Sequence, residues 1–196
     1  MDTAIRDLNP YEKLFAERLI VLGAPVDDAA AQDVIAQLMH LEHAAPGRDI
    51  GLYLNSPGGS PGAMSAIRDT MRYVECDIET VCLGQACGPA AVLLAAGTRG
   101  KRLMLPHARA VLRQPALPEP VRGQTADLAL WAAELLRVRD EMVTALAGDT
   151  GQDTERIRRD LERDTVLDAE AAVAYGLADA VVTDRRSQQA WAGTTR

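Results

Sequence analysis

The chain carries few side chains able to do covalent or acid–base chemistry. Its serines are Ser56, Ser60, Ser65 and Ser187, and none stands at the centre of a Gly-x-Ser-x-Gly elbow. Ser56 and Ser60 belong to a glycine-rich turn. His40 and His43 stand three apart on a predicted helix, a spacing that brings two imidazoles to one face, but no third or fourth ligand follows at suitable spacing. They read as a solvated helix face. His107 precedes the start of a predicted strand and has no acidic neighbour in sequence to tune it. Cys76, Cys82 and Cys87 are an odd number without a Cys-x-x-Cys pair, which fits a reducing, cytoplasmic setting. A thiolate nucleophile needs a base or a depressed pKa, and neither is evident near Cys87, which reads as a small buried side chain. No metal and no cofactor is expected.

The elements that must position these groups follow from apolar periodicity. Arg18–Leu22 is a predicted strand; Asp27 or Asp28 then caps a helix with Ala31, Val34, Ile35, Leu38 and Leu41 on one face. The pattern repeats as a strand at Ile50–Leu54, a turn over Asn55–Gly62, a helix through Ile67 and Met71, and a strand at Ile78–Leu83. Alternation of this kind argues for an α/β fold with parallel pairing. An Ala/Leu-rich buried helix from Pro89 to Gly97 and strands around Leu103 and Val111 continue it. From Gln124 to Leu146, Leu128, Trp131, Leu135, Val138 and Met142 step by three and four, predicting a long helix whose narrow apolar seam suits another helix. The segment Ala116–Gly123 reads as a flexible loop, and the tail after Asp184 as poorly tied down.

Composition sets the bounds. The chain has 196 residues, 47% hydrophobic and 25% charged, the profile of a single globular domain. A net charge of −7 with no dense Lys/Arg run, and only 4% aromatics, argue against nucleic acid as a partner. The longest apolar stretch, Pro89–Gly97, is far short of the ~20 residues a membrane helix needs, and no export signal is legible.

Several runs in series resemble the ClpP peptidase family: Asn9-Pro10-Tyr11, Leu22 to Asp28, Leu52-Tyr53-Leu54-Asn55-Ser56-Pro57-Gly58-Gly59-Ser60, Ala66 to Met71, Gly84-Gln85-Ala86, Leu93 to Gly97, Gly100-Lys101-Arg102, Leu105-Pro106, Gln114-Pro115 and Glu162-Arg163-Asp164. The resemblance covers roughly residues 9–184. It implies a ClpP/crotonase-like α/β fold of repeated βαβ units, with twisted β layers flanked by helices and a long handle helix. One domain would then span 1–196, its head at about 18–115 and 147–184, its handle at about 124–146, with a flexible N-terminal arm and C-terminal tail. The resemblance further implies heptameric rings paired as a tetradecamer, homo- or hetero-oligomeric with ClpP paralogues, fed with polypeptide substrates by a Clp-family AAA+ unfoldase.

The catalytic positions depart from the family's pattern. The nucleophile position falls on Gly88, which has no side chain to attack with. The base position falls on Arg113, whose guanidinium accepts no proton at neutral pH. Only Asp164 matches the triad, and an aspartate that orients a missing histidine does nothing alone. Of the two oxyanion N–H donors one falls on Gly59 and the other on Pro89, which has no N–H. Loss of one such donor costs ~100- to 1000-fold in rate, and loss of nucleophile or base about a millionfold. Arg113 is expected to pair with Asp164, so that the carboxylate is not stranded. Cys87, one residue from the nucleophile position, is expected to point away from the cleft. The resemblance also places Glu162 and Arg163 at contacts between rings and Tyr53, Tyr73 and Leu83 at or near unfoldase docking pockets, with Gly51 where many members carry an aromatic.

The expected function is therefore a catalytically inactive ring subunit, a pseudoprotease partner of an active paralogue. The alternatives are a serine-type endopeptidase using non-standard residues and a crotonase-type acyl-CoA enzyme, whose class shares the fold and its backbone oxyanion donors.

Overall fold

The computed structural model describes residues 9–116 and 122–194. A short helix α1 (Pro10–Ala16), capped by Asn9, lies where a polar arm is expected. Then β1 (Leu19–Leu22), α2 (Asp28–Ala44), β2 (Ile50–Ser56), α3 (Pro61–Tyr73), β3 (Ile78–Cys87), α4 (Pro89–Ala95) and β4 (Arg102–Met104) follow as successive βαβ units. Asp27 caps α2 by accepting from the Ala30 N–H at 2.8 Å, and Ser60 caps α3 from the Ala63 N–H, with Pro61 pre-set at its first turn. Ala31, Val34, Leu38 and Leu41 are buried, as the helical spacing predicts.

The sheet runs β1-β2-β3-β4-β7, all parallel, with β7 at Ala180–Val181. β3 is longer than the apolar run suggests, because it serves two partners. Its residues Thr80–Cys82 pair with β4, whereas Gln85–Cys87 pair in parallel with β5 (Arg109–Leu112), which pairs antiparallel with β6 (Thr165–Asp168). The sheet forks at Leu83-Gly84. Asn55 accepts the Gln85 N–H through Oδ1 at 3.3 Å, close to where the β2–β3 register shifts.

The main core lies between this sheet and α2, α3 and α4. Every residue of α4 is buried, so its Ala/Val/Leu composition is what a helix wrapped on all sides requires. The long helix α5 (Thr125–Thr150) runs past the expected end at Leu146 to the left-handed cap Gly151. Only its C-terminal part is seated: Met142, Val143 and Leu146 are buried, while Leu128 and Trp131 are 42% and 49% exposed. The N-terminal part of the seam foreseen for another helix, at Leu128 and Trp131, is thus left largely exposed by the described residues, whereas Leu135 and Val138 are half-buried and Met142 is buried. Helices α6 (Thr154–Glu162) and α7 (Ala169–Tyr175) complete the head.

One expectation needs correction. The tail after Asp184 is not loose: it forms α8 (Arg185–Thr194), started by Asp184 accepting the Arg186 and Ser187 N–H groups at 2.8 Å, with the Trp191 indole donating to the Gly100 carbonyl at 2.7 Å. His107 lies exposed in the turn ahead of β5, in keeping with its place before the predicted strand. The loop expected at Ala116–Gly123 lies largely outside the described residues.

Candidate functional site

The turn between β3 and α4 is sharp. Gly88 holds φ +50° and ψ −112°, a combination that L side chains rarely adopt, and its carbonyl already accepts the Ala91 N–H of α4 at 3.0 Å. Its own N–H donates to the Val111 carbonyl at 2.7 Å, which fixes the turn against β5. This is the strand-to-helix geometry of a nucleophile elbow. A Cβ at Gly88 would stand 3.8 Å from the Cβ of Arg113 with nothing nearer, so the elbow is aimed at Arg113 and is empty.

Arg113 closes onto Asp164 as a fork: Nε lies 2.9 and 3.0 Å from the two carboxylate oxygens, and Nη2 donates to Oδ2 as well. The expected pairing is present, with both side chains half-exposed. The hydrogen bonds hold the Asp164 carboxyl below its ordinary range and raise Arg113 further above its own. Neither member can accept a proton from a nucleophile at neutral pH.

The glycine turn packs edge to edge on the elbow. Gly58 has φ +101°, and a Cβ there would come within 2.8 Å of the Cys87 carbonyl. Val26 donates to the Gly58 carbonyl at 2.8 Å and accepts from Ser60 at 2.7 Å, so a parallel bridge pins the turn from the other side. Among the described residues the Gly59 N–H between them has no acceptor. Pro89, at the first turn of α4, contributes a ring and no donor.

Together these groups floor a cleft of about 830 Å³, roofed by Trp131, Leu135 and Val138 of α5 with Glu134, Arg137 and Glu141 on its rim. Gly59, Gly88, Pro89 and Arg113 all line it, and Asp164 joins through Arg113. Cys87 lines it as well, contrary to the expectation that it points away. Burial pushes its thiol pKa up, while Arg109 and Arg113 pull down less strongly, so it stays protonated. The α5 side chains were absent from the sequence-based candidates, because their spacing reads as a helix seam and only the fold lays that seam over the turn.

The remaining candidates separate. Ser56 is fully buried, its Oγ accepting from the Gly58 N–H at 3.2 Å, and Ser60 is spent on capping α3. His40 packs against Phe15 with ring centroids 5.6 Å apart, and among the described residues no three His, Cys, Asp or Glu side chains converge as a metal site. Glu162 and Arg163 are exposed where α6 ends, beside the edge strand β6 and its 62% exposed Val166. Tyr53 and Leu83 come together, half-buried, in a second apolar cluster. Tyr73 does not join them; it is 73% exposed at the end of α3.

A forked parallel sheet, an elbow turn facing a paired Arg/Asp, a glycine turn beside it and a long projecting helix define an α/β scaffold of the peptidase type. The chain belongs to the Clp protease family, whose signature, described as Clp protease, matches residues 2–185. Among its relatives, a putative ATP-dependent Clp protease proteolytic subunit-like protein of Streptomyces coelicolor is 61% identical over 188 residues, covering 96% of this chain and 89% of that protein. ATP-dependent Clp protease proteolytic subunit 1 of Mycolicibacterium paratuberculosis is 54% identical over 182 residues (93% and 86%). Proteolytic subunit 2 of Mycobacterium tuberculosis strain H37Rv is 53% identical over 182 residues (93% and 85%).

Proposed function

We propose that this chain is a catalytically silent proteolytic-type subunit, one that keeps the scaffold and assembles with a triad-bearing paralogue into Clp protease rings. The observation that carries this reading is the elbow at Gly88, which has the backbone for a nucleophile, no side chain, and an arginine already sealed to Asp164 where a base would stand. Pro89 removes an N–H next to the elbow. An acyl transfer needs an attacking group, a proton acceptor and oxyanion donors, and among the described residues of the cleft only the Gly59 N–H is on offer.

The ring role draws on the exposed seam of α5, on Glu162 and Arg163 beside the β6 edge, and on the names of relatives at 53–61% identity. Within such rings the subunit shapes the chamber and the choice of AAA+ unfoldase, and does not cut. Three unpaired, buried cysteines suit a reducing cytoplasm.

Native mass spectrometry of the tagged chain purified from its own cells tests the reading. A tetradecamer that contains a triad-bearing paralogue is the expected result. Hydrolysis of a fluorogenic peptide by the purified chain alone, abolished by a serine-directed inhibitor, would overturn it.

A further inference from the structure

A mostly parallel sheet needs cover on both faces. Here α2, α3 and α4 take one face, and the other carries an apolar row in register across four strands: Tyr53 of β2 opposite Val81 of β3, Val81 opposite Leu103 of β4, and Leu103 opposite Ala180 of β7. Residues on one register row share a face, and this row forms a cluster separate from the main core. Among the described residues, the one member of that cluster contributed from outside the strands and the residues directly following them is Trp191 of α8.

We propose that α8 is an intramolecular strap: Trp191 fills the apolar groove over Val81, Leu103 and Val182, and while it is seated no other apolar side chain enters that groove. The attachments have the character of a latch. The indole N–H donates to the Gly100 carbonyl at 2.7 Å, and Gln188 donates to the Tyr53 hydroxyl at 3.2 Å and to Glu79 at 2.7 Å. Arg185 reaches Glu17 at 3.5 Å, an exposed pair of small worth. A helix of ten residues is marginal by itself in water, so α8 is helical because it is docked, and undocking unwinds it. The groove is therefore an acceptor for an aromatic side chain that carries its own N–H donor, supplied in cis by this chain. The inference does not depend on whether the cleft is catalytic.

The test uses full-length protein. In a Trp131→Phe chain, Trp191 is the remaining tryptophan; seated, its emission is blue-shifted and acrylamide quenches it at least threefold less than a synthetic peptide of residues 184–194. Quenching equal to that of the peptide would overturn the strap. In a second chain, Gln188→Ala with Trp191→Ala, the same peptide labelled with fluorescein binds saturably and at least tenfold tighter than to the unaltered chain. Equal binding to both chains, or binding to neither, would sink the claim that α8 occupies and blocks an acceptor groove.

Discussion

Gly88 sits in a backbone shape that presents a side chain, and glycine is the residue that holds it without strain. Serine there meets no clash, since the nearest atom to its Cβ would be 3.8 Å away, but φ +50° costs a non-glycine residue about 1–3 kcal/mol. Gly88→Ser is expected to fold, melt lower, and remain without peptidase activity, because Arg113 accepts no proton; measurable hydrolysis of a fluorogenic peptide by that single variant would refute the argument. Asp164 has a folded pKa held below its unfolded value by Arg113, so it contributes stability above about pH 4 that is lost as pH falls through the depressed value. Arg113→Ala returns Asp164 to its ordinary range. The melting temperature of the variant should then fall less steeply with acidification below pH 4 than that of the unaltered chain, and parallel slopes would count against a functioning pair.

Between elements, Arg102 is a buried tie. It is 5% exposed, and its guanidinium donates to Asp179 and to the backbone carbonyls of Ala95, Asp149 and Gly176, stitching β4 to the ends of α4, α5 and α7. Burial pushes the Asp179 carboxyl up, but Arg102 and the Gly100 and Arg102 N–H groups outweigh it and hold the pKa low. Asp179→Asn leaves that buried cation without its counter-charge, a loss of about 3 kcal/mol, which for a chain of this size lowers the melting temperature by roughly 6–12 °C; calorimetry measures it, and an unchanged melting temperature would contradict it. The Gly100-Lys101-Arg102 motif was legible in the sequence, its partner was not. Asp179 is 77 residues away, and no local pattern announces an ion pair between distant loops.

For the molecule as a whole, the uncovered N-terminal part of α5 is the feature a single chain leaves unexplained. Leu128, Leu130, Trp131 and Leu136 are all more than two-fifths exposed on a helix that projects from the head. In the ring reading another subunit covers them. Leu128→Glu together with Trp131→Glu should leave circular dichroism and thermal stability close to those of the parent, since surface changes are worth about ±0.5 kcal/mol, while native mass spectrometry shows the tetradecamer lost. Retention of the full assembly by that variant would move the subunit contact elsewhere.

The sequence alone determined the βαβ alternation, the capped helices, the buried α4, and the absence of a side chain at Gly88 and of an N–H at Pro89, because periodicity, capping and residue type are properties of residues and their neighbours. Tertiary structure decided that β3 serves two branches of the sheet, that Cys87 and the α5 seam face the cleft, and that Trp191 returns to the groove 110 residues after Val81. Those outcomes depend on which surfaces meet across the fold, and a chain read in order holds no signal for a contact whose two halves are each ordinary apolar sequence.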